Sequence, residues 1–324
     1  MTATSGLAID ARGVEVTYGD GTEAVRGVDL QIPEGEFFGF LGANGAGKTT
    51  TIKTLVTLLT PTAGSVTVNG YDTLTEGRSV RQSVGYMAQE TAIDTDLTAR
   101  ENIKFACEAY GVTGSEREER IDSLLDLVDL ADVADKTADG FSGGMKKRLD
   151  AATALVHEPP LVFLDEPTTG LDPKARNRLW EYFQRINDRG TTVFLTTQYL
   201  EEADYLCDRL SLILDGQIVE TGSPDELKSR VGGERLDIDL ADETDTDRAL
   251  DIAREFFAAD ATVERTDDGV AVTARTARER GPDLLVALRD GDVAVTGFNV
   301  RAPSLDDVFL AVTDDEDGLT EAAQ

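Results

Sequence analysis

A chain of 324 residues has room for a core domain of about 200 residues and a smaller appendage. Its apolar content of 40% is ordinary for a folded protein, but 62 acidic residues against 31 basic ones leave a net charge of −31. Such a surface repels nucleic acid, and no apolar run approaches the roughly 18 residues of a membrane-spanning helix, so the composition argues against both a nucleic-acid partner and a membrane span.

The acids are spread along the whole chain. They read as a solvated shell suited to a salt-rich cytoplasm, in preference to a docking surface for a basic partner. The opening Met-Thr-Ala-Thr-Ser-Gly has neither the basic nor the apolar region of a signal peptide. Cys107 and Cys207 are far apart, without metal-type spacing, and read as buried small hydrophobes in a reducing compartment. The expectation is a cytoplasmic protein.

In chain order, Leu7 to Ile32 predicts strands turning at Gly19-Asp20-Gly21, and Phe37–Leu41 predicts a buried strand leading into a glycine-rich loop and a helix to about Leu59. Gly64–Gly70 alternates and ends in Asn-Gly, as a strand and turn do. From Ala99 to about Lys136 the apolar spacing is helical. A second glycine turn at Ser142-Gly143-Gly144 opens another helix. Then come the apolar strand Leu161–Leu164, a helix from Pro173, a strand Thr192–Thr196, two short strands around Asp215-Gly216 and a short helix from Ser223-Pro224. Alternating strands and helices imply an α/β fold with a mostly parallel sheet.

Past Gly232-Gly233 the texture changes: residues 234–324 hold 24 acids, nine arginines and no lysine. The pattern there predicts a strand, a helix Thr246–Phe257, a hairpin across Asp267-Asp268-Gly269, a helix near Leu284–Leu288, a strand Val293–Val300 and a last helix from Ser304. This is a small α+β accessory domain, with the final dozen residues frayed. The expected division is 1–232 and 233–324, with a helical subdomain at about 90–158.

Gly42-Ala43-Asn44-Gly45-Ala46-Gly47-Lys48-Thr49-Thr50 is the strongest chemical signal. Gly, four residues, then Gly-Lys-Thr after a buried strand is a phosphate-binding loop, or P-loop. Its glycines let successive N–H groups face an anion, and the following helix aims its positive dipole end at the same place. Lys48 would reach the β- and γ-phosphates and the Thr49 hydroxyl would sit on Mg²⁺. The strand Leu161–Leu164 delivers Asp165 and Glu166 to the carboxyl edge of the sheet. There Asp165 would hold Mg²⁺, directly or through water, and Glu166 would polarise the attacking water.

Phe141-Ser142-Gly143-Gly144-Met145 places a second anion site about a dozen residues before that strand. With it the chain resembles the ATP-binding-cassette (ABC) ATPases, whose signature is Leu-Ser-Gly-Gly-Gln; Phe141 and Met145 depart from it. The resemblance covers residue 7 to about 230. It implies the P-loop NTPase ABC cassette, with N-terminal antiparallel strands and a helical subdomain, binding ATP with Mg²⁺. It also implies that Ser142 and Gly144 close over ATP bound to a second cassette, either a homodimer mate or a paralogue. Tyr18 resembles the aromatic that stacks on adenine. Gln89 resembles the glutamine that senses Mg²⁺ and faces the membrane partner, and Gly170-Leu171-Asp172 resembles the loop that crosses the dimer interface.

One position departs from the family. Where a histidine usually contacts the γ-phosphate stands Gln198, which can donate a hydrogen bond but cannot become cationic. The only histidine, His157, reads as a helix-end residue. Thr197-Gln198-Tyr199-Leu200-Glu201-Glu202 and the tail Pro303-Ser-Leu-Asp-Asp-Val-Phe309 resemble the daunorubicin-resistance type of drug-export ATPase. That group implies an ATP-hydrolysing subunit, peripheral on the inner face of the membrane, driving a separate integral-membrane permease. A non-transport ABC ATPase of translation or DNA repair, and an importer ATPase, are the alternatives.

Overall fold

The computed structural model describes residues 6–230, 233–258 and 261–312. The chain divides into two compact units, Met1–Pro224 and Asp225–Gln324.

The first unit opens with β1 (Leu7–Thr17) and β2 (Glu23–Pro33), antiparallel strands joined through Gly21 in the left-handed region. Next come β3 (Phe37–Leu41) and α1 (Lys48–Leu55). The expected helix to Leu59 stops four residues early, because Thr57 turns to φ 64° and the amides of Leu58 and Leu59 both close on the Lys53 carbonyl. β4 (Ala63–Val68) and β5 (Tyr71–Asp72) form a hairpin over Asn69-Gly70, both with positive φ as a type I′ turn requires. α2 (Gly77–Ser83) and the strand β6 (Val84–Met87) follow.

The region read as helical from Ala99 to Lys136 is two helices, α3 (Ala99–Ala109) and α4 (Gly114–Leu127), broken where Gly111 and Gly114 take left-handed φ. α5 (Gly143–Thr153) starts at the second glycine turn, and β7 (Leu161–Asp165), α6 (Pro173–Asn187), β8 (Thr192–Thr197) and α7 (Leu200–Leu206) succeed it. β9 (Arg209–Leu214) and β10 (Gln217–Gly222) turn at Asp215-Gly216, and α8 (Pro224–Arg230) follows, lying past its first residue in the second unit.

Two sheets result, ordered β2-β1-β4-β5 and β10-β9-β3-β8-β7-β6. The strands from β9 to β6 of the second sheet are parallel. β3, β7 and β8 are buried along their whole length, which is why they read as unbroken apolar runs. Phe194 of β8 packs on Phe38 and Phe40 of β3 and on Phe163 of β7, with ring centroids 5.4–5.7 Å apart. That aromatic cluster fixes the three strands side by side, so that their carboxyl ends, Leu41, Thr197 and Asp165, emerge together.

The second unit runs β11 (Glu234–Leu240), α9 (Thr246–Phe257), β12 (Ala261–Arg265), β13 (Gly269–Ala274), α10 (Ala277–Asp290), β14 (Val295–Arg301), then a helix over 305–312. Its antiparallel order β12-β13-β11-β14 is the split βαβ arrangement of ferredoxin-like folds. Leu236, Ile238, Val270 and Val272 form its core with Ala253 and Phe257 of α9 and Leu284 and Leu288 of α10. On the opposite sheet face Arg235 pairs with Asp237 at 2.8 Å and Glu264 at 3.3 Å. The frayed end expected of the last dozen residues lies outside the described residues.

Candidate active site

The P-loop is shaped by two left-handed glycines, Gly45 (φ 87°) and Gly47 (φ 108°). A Cβ on Gly47 would stand 2.4 Å from the Ala24 carbonyl oxygen of β2, so only glycine fits there. The hairpin tip at Gly216 buttresses the loop from the other side: its amide donates to the Ala46 carbonyl at 3.0 Å and its carbonyl accepts from Arg26 N at 2.8 Å. Ala43, Asn44 and Gly45 form the exposed rim, while Gly42, Ala46, Gly47 and Lys48 are buried.

Lys48 folds back into the loop. Its Nζ donates to the carbonyls of Gly42 at 2.7 Å and Ala43 at 3.1 Å, and stands 3.2 Å from Glu166 Oε1. The Thr49 hydroxyl donates to Asp165 Oδ1 at 3.2 Å, and the Thr196 hydroxyl of β8 donates to the same oxygen at 2.6 Å. Asp165 is fully buried, and its other oxygen, Oδ2, has no hydrogen-bond partner among the described residues.

Glu166 sits just past β7 at φ 47°, a conformation that side chains other than glycine seldom adopt. Its amide is tied to the Thr196 carbonyl at 3.0 Å, and its Oε2 accepts from Gln89 Nε2 at 3.1 Å and from the Thr169 hydroxyl at 3.4 Å. These bonds hold the carboxylate in place despite the backbone strain. Burial, reinforced by the Asp165 carboxylate, pushes the Tyr86 phenol up to about 12.

Lys48, Thr49, Asp165, Glu166 and Gln89 therefore converge at the carboxyl ends of β3 and β7. Tyr18 stands at the rim, 39% exposed, with its hydroxyl 3.0 Å from the Thr50 hydroxyl. Gln198 lies exposed just after β8, and among the described residues no hydrogen bond joins its side chain to the cluster. His157 is remote: Nε2 meets the Val84 carbonyl at 3.1 Å and the ring stacks on Tyr110. Both cysteines are buried free thiols.

Ser142, Gly143, Gly144 and Asp172 gather elsewhere. Ser142 caps α5 by accepting from Met145 N at 3.3 Å, and Asp172 caps α6 by accepting from Ala175 N at 2.9 Å. Ser142, Gly144 and Asp172 line a cavity of about 190 Å³ together with Arg148, Lys174 and Arg178. Three basic side chains at one cavity of so acidic a chain make it an anion-attracting spot. It shares no residue with the P-loop cluster.

A family model described as ABC transporter matches residues 25–169, and one described as the C-terminal domain of DrrA1-3-like ATP-binding proteins matches residues 222–313. The daunorubicin resistance ATP-binding protein DrrA3 of Streptomyces coeruleorubidus is 40% identical, across 98% of this chain and 99% of that protein. The chain belongs to the ABC transporter ATP-binding family. The linearmycin resistance ATP-binding protein LnrL of Bacillus subtilis is 34% identical, across 94% of this chain and 98% of its own. Among solved structures the cassette is similar to cbiO1 of Clostridium perfringens, described as part of the transporter complex cbiONQ (TM-score 0.65, 26% identity, 69% of this chain and 91% of that one). It is also similar to the dimeric post-hydrolysis state of the ATP-binding cassette MJ0796 bound to ADP and Pi (TM-score 0.61, 28% identity, 66% and 98%). The resemblance read from the P-loop and from Ser142–Gly144 is thereby upheld, as is the α/β P-loop fold.

Sequence reasoning missed Thr196, Thr169, Lys147 and Asp150. Thr196 carried a faint signal: a hydroxyl at the end of a buried apolar strand needs a partner.

Proposed function

We propose that this ABC ATP-binding protein hydrolyses ATP with Mg²⁺ to drive export through a separate integral-membrane permease, working as a pair of cassettes around two nucleotides. The observation that carries this reading is the buried Lys48–Glu166 contact at 3.2 Å, at the mouth of the P-loop beside Asp165. A cation suited to phosphate and a carboxylate suited to water in one hydrogen-bonded cluster support it.

The P-loop amides and Lys48 hold the β- and γ-phosphates, with Lys48 exchanging its loop carbonyls and Glu166 for phosphate oxygens. The donor set suits Mg²⁺: the Thr49 hydroxyl and a buried carboxylate with an unpartnered oxygen are hard ligands, and Gln89 adds an amide oxygen. When bound, the ion neutralises phosphate charge. Glu166, released by Lys48 but still held by Gln89 and Thr169, accepts a hydrogen bond from the attacking water and orients it. Tyr18 stacks on the adenine, and Gln198 supplies a neutral donor toward the γ-phosphate where its relatives in the wider family carry a histidine.

The Ser142–Gly144 turn with its basic cavity is a second phosphate site without a P-loop of its own. A second copy, or a paralogous cassette, turned to face the first would lay this turn over the partner's ATP, with Asp172 at the crossing. In this reading residues 1–232 form the cassette, with a helical subdomain at about 90–158, and residues 233–324 form the accessory domain. Among the described residues no helix is long and apolar enough to cross a membrane, which supports a peripheral subunit on the inner face. The relatives matched along nearly their whole length carry drug-resistance names, which favours export over import and over a role in translation or repair.

The Glu166→Gln variant tests the reading. With ATP and Mg²⁺ in saline buffer it should bind nucleotide, cease turnover and sediment as a dimer. A strictly monomeric protein, or full turnover, would overturn it.

A further inference from the structure

Between β6 and α3 the chain runs from Ala88 to Thr98 without regular structure, and Glu90, Thr91 and Ala92 are exposed. Gln89, whose side chain holds Glu166, begins this loop. With Ile93 and Leu97 only partly buried, little apolar burial fixes the loop, so its position depends on polar anchors. At its far end Asn102 of α3 serves: its Oδ1 accepts from Asp94 N at 2.9 Å and its Nδ2 donates to the Asp94 carbonyl at 3.0 Å.

The near end is held from α5. Lys147, 8% exposed, donates its ammonium to the Gln89 carbonyl, and Asp150, 3% exposed, accepts from Ala92 N at 3.4 Å. The two residues are three apart and so share one face of the helix. Burying either group costs free energy: burial lowers the lysine's proton affinity and pushes the Asp150 carboxyl up to about 6. Helix packing alone has no need of two buried ionisable side chains whose hydrogen bonds both go to the backbone of one exposed loop.

We propose that Lys147 and Asp150 are positioning residues that strap the Gln89 loop to α5, so that Gln89 stays on Glu166 and moves as one body with the Ser142–Gly144 turn. α5 carries that turn at its start and the strap one turn later, so a displacement of the turn reaches Glu166 through Gln89. The catalytic half of this inference rests on the role proposed for Glu166, whereas the strap itself does not.

Amide hydrogen exchange of the full-length protein, without nucleotide, tests the strap directly. Lys147→Met should raise exchange across residues 90–97 roughly tenfold or more, the effect of losing one hydrogen bond to a charged group, while residues 42–49 keep their protection. Lys147→Arg, which keeps a cationic donor, should restore most of it. Asp150→Asn should behave as the parent, since the amide oxygen still accepts from Ala92, and Asp150→Leu should loosen the loop. Unchanged exchange in the loop, or an equal rise throughout the cassette, overturns the strap. For the catalytic half, Lys147→Met should lower kcat severalfold at constant KM, and should lower it no further once Gln89→Ala is present. Independent, multiplying losses overturn the coupling. If the parent protein fails to hydrolyse ATP, the reading of Glu166 falls and the exchange result still decides the strap.

Discussion

Lys48 Nζ and Glu166 Oε1 stand 3.2 Å apart, each about 95% shielded from solvent, across the mouth of the P-loop. Breaking a buried pair by removing one partner costs about 3 kcal/mol or more, because the other charge is left without its counterion. Lys48→Met should therefore destabilise the nucleotide-free protein by about that amount in urea unfolding. Adding Glu166→Gln to it should recover a large part, since Gln89 and Thr169 can still bond a neutral amide. An additive double variant would show that the contact contributes nothing.

Stability should depend on pH through Asp150. Its carboxyl is raised by burial to about 6 from the usual 3.8, so between those values the folded state binds more protons than the unfolded one. Stability then falls as pH climbs from about 4 to about 6 and the cost levels off above, at roughly 2–3 kcal/mol. Asp150→Asn removes this dependence. The difference in unfolding free energy between Asp150→Asn and the parent should shift in the variant's favour over that window and stay level to pH 8. Comparing the two proteins cancels the contribution of Glu202, which is also raised by burial.

Gly144→Ala probes the second anion site. The new methyl would lie 2.9 Å from the Ala175 methyl at the start of α6, costing about 1–3 kcal/mol of overpacking and narrowing the basic cavity. If the P-loop of the same chain sets ATP affinity, that affinity should stay within twofold, while turnover with Glu166 intact, and nucleotide-driven dimerisation in the Glu166→Gln background, should both fall. Ser142→Ala should do the same and also cost about 1 kcal/mol through the lost cap.

At the rim, Tyr18→Phe keeps the ring and drops only the Thr50 contact. Its affinity for ATP by equilibrium titration should stay within about twofold, and Tyr18→Ala should lose roughly tenfold, one stacking interaction. Equal losses in both variants would mean that the hydroxyl contact with α1, and not stacking, is what matters.

A net charge of −31 over this length should make the melting temperature rise as KCl is added from 0.1 to 2 M, because screening relieves repulsion between like charges. Calorimetry at fixed pH checks the sign.

How far the sequence could be read followed from the range of the forces. Strands β3, β7 and β8 were legible because strands buried on both faces must be apolar throughout, and the P-loop because its backbone geometry demands glycine at 45 and 47. The break at Gly111–Gly114 was obscured, since Ile103 and Cys107 before it and Ile121, Leu124 and Leu125 after it keep one helical apolar rhythm across it. Thr196 and Asp165 meet only because β8 runs beside β7, a pairing between residues 31 apart that periodicity does not encode. Lys147 and Asp150 read as ordinary charges on a helix; their burial against a loop some 58 residues earlier is a tertiary fact. The ferredoxin-like order of the second unit, likewise, depends on which strands pair and not on where they lie in the chain.

The turn at Asp215-Gly216 looks from outside like a surface hairpin where an epitope tag or a fluorescent insertion would do no harm. Its glycine amide props the Ala46 carbonyl, and a Cβ there would press on Ala24, the same residue that crowds Gly47. Anyone labelling this protein should splice elsewhere, for cargo grafted at that tip would warp the P-loop from beneath.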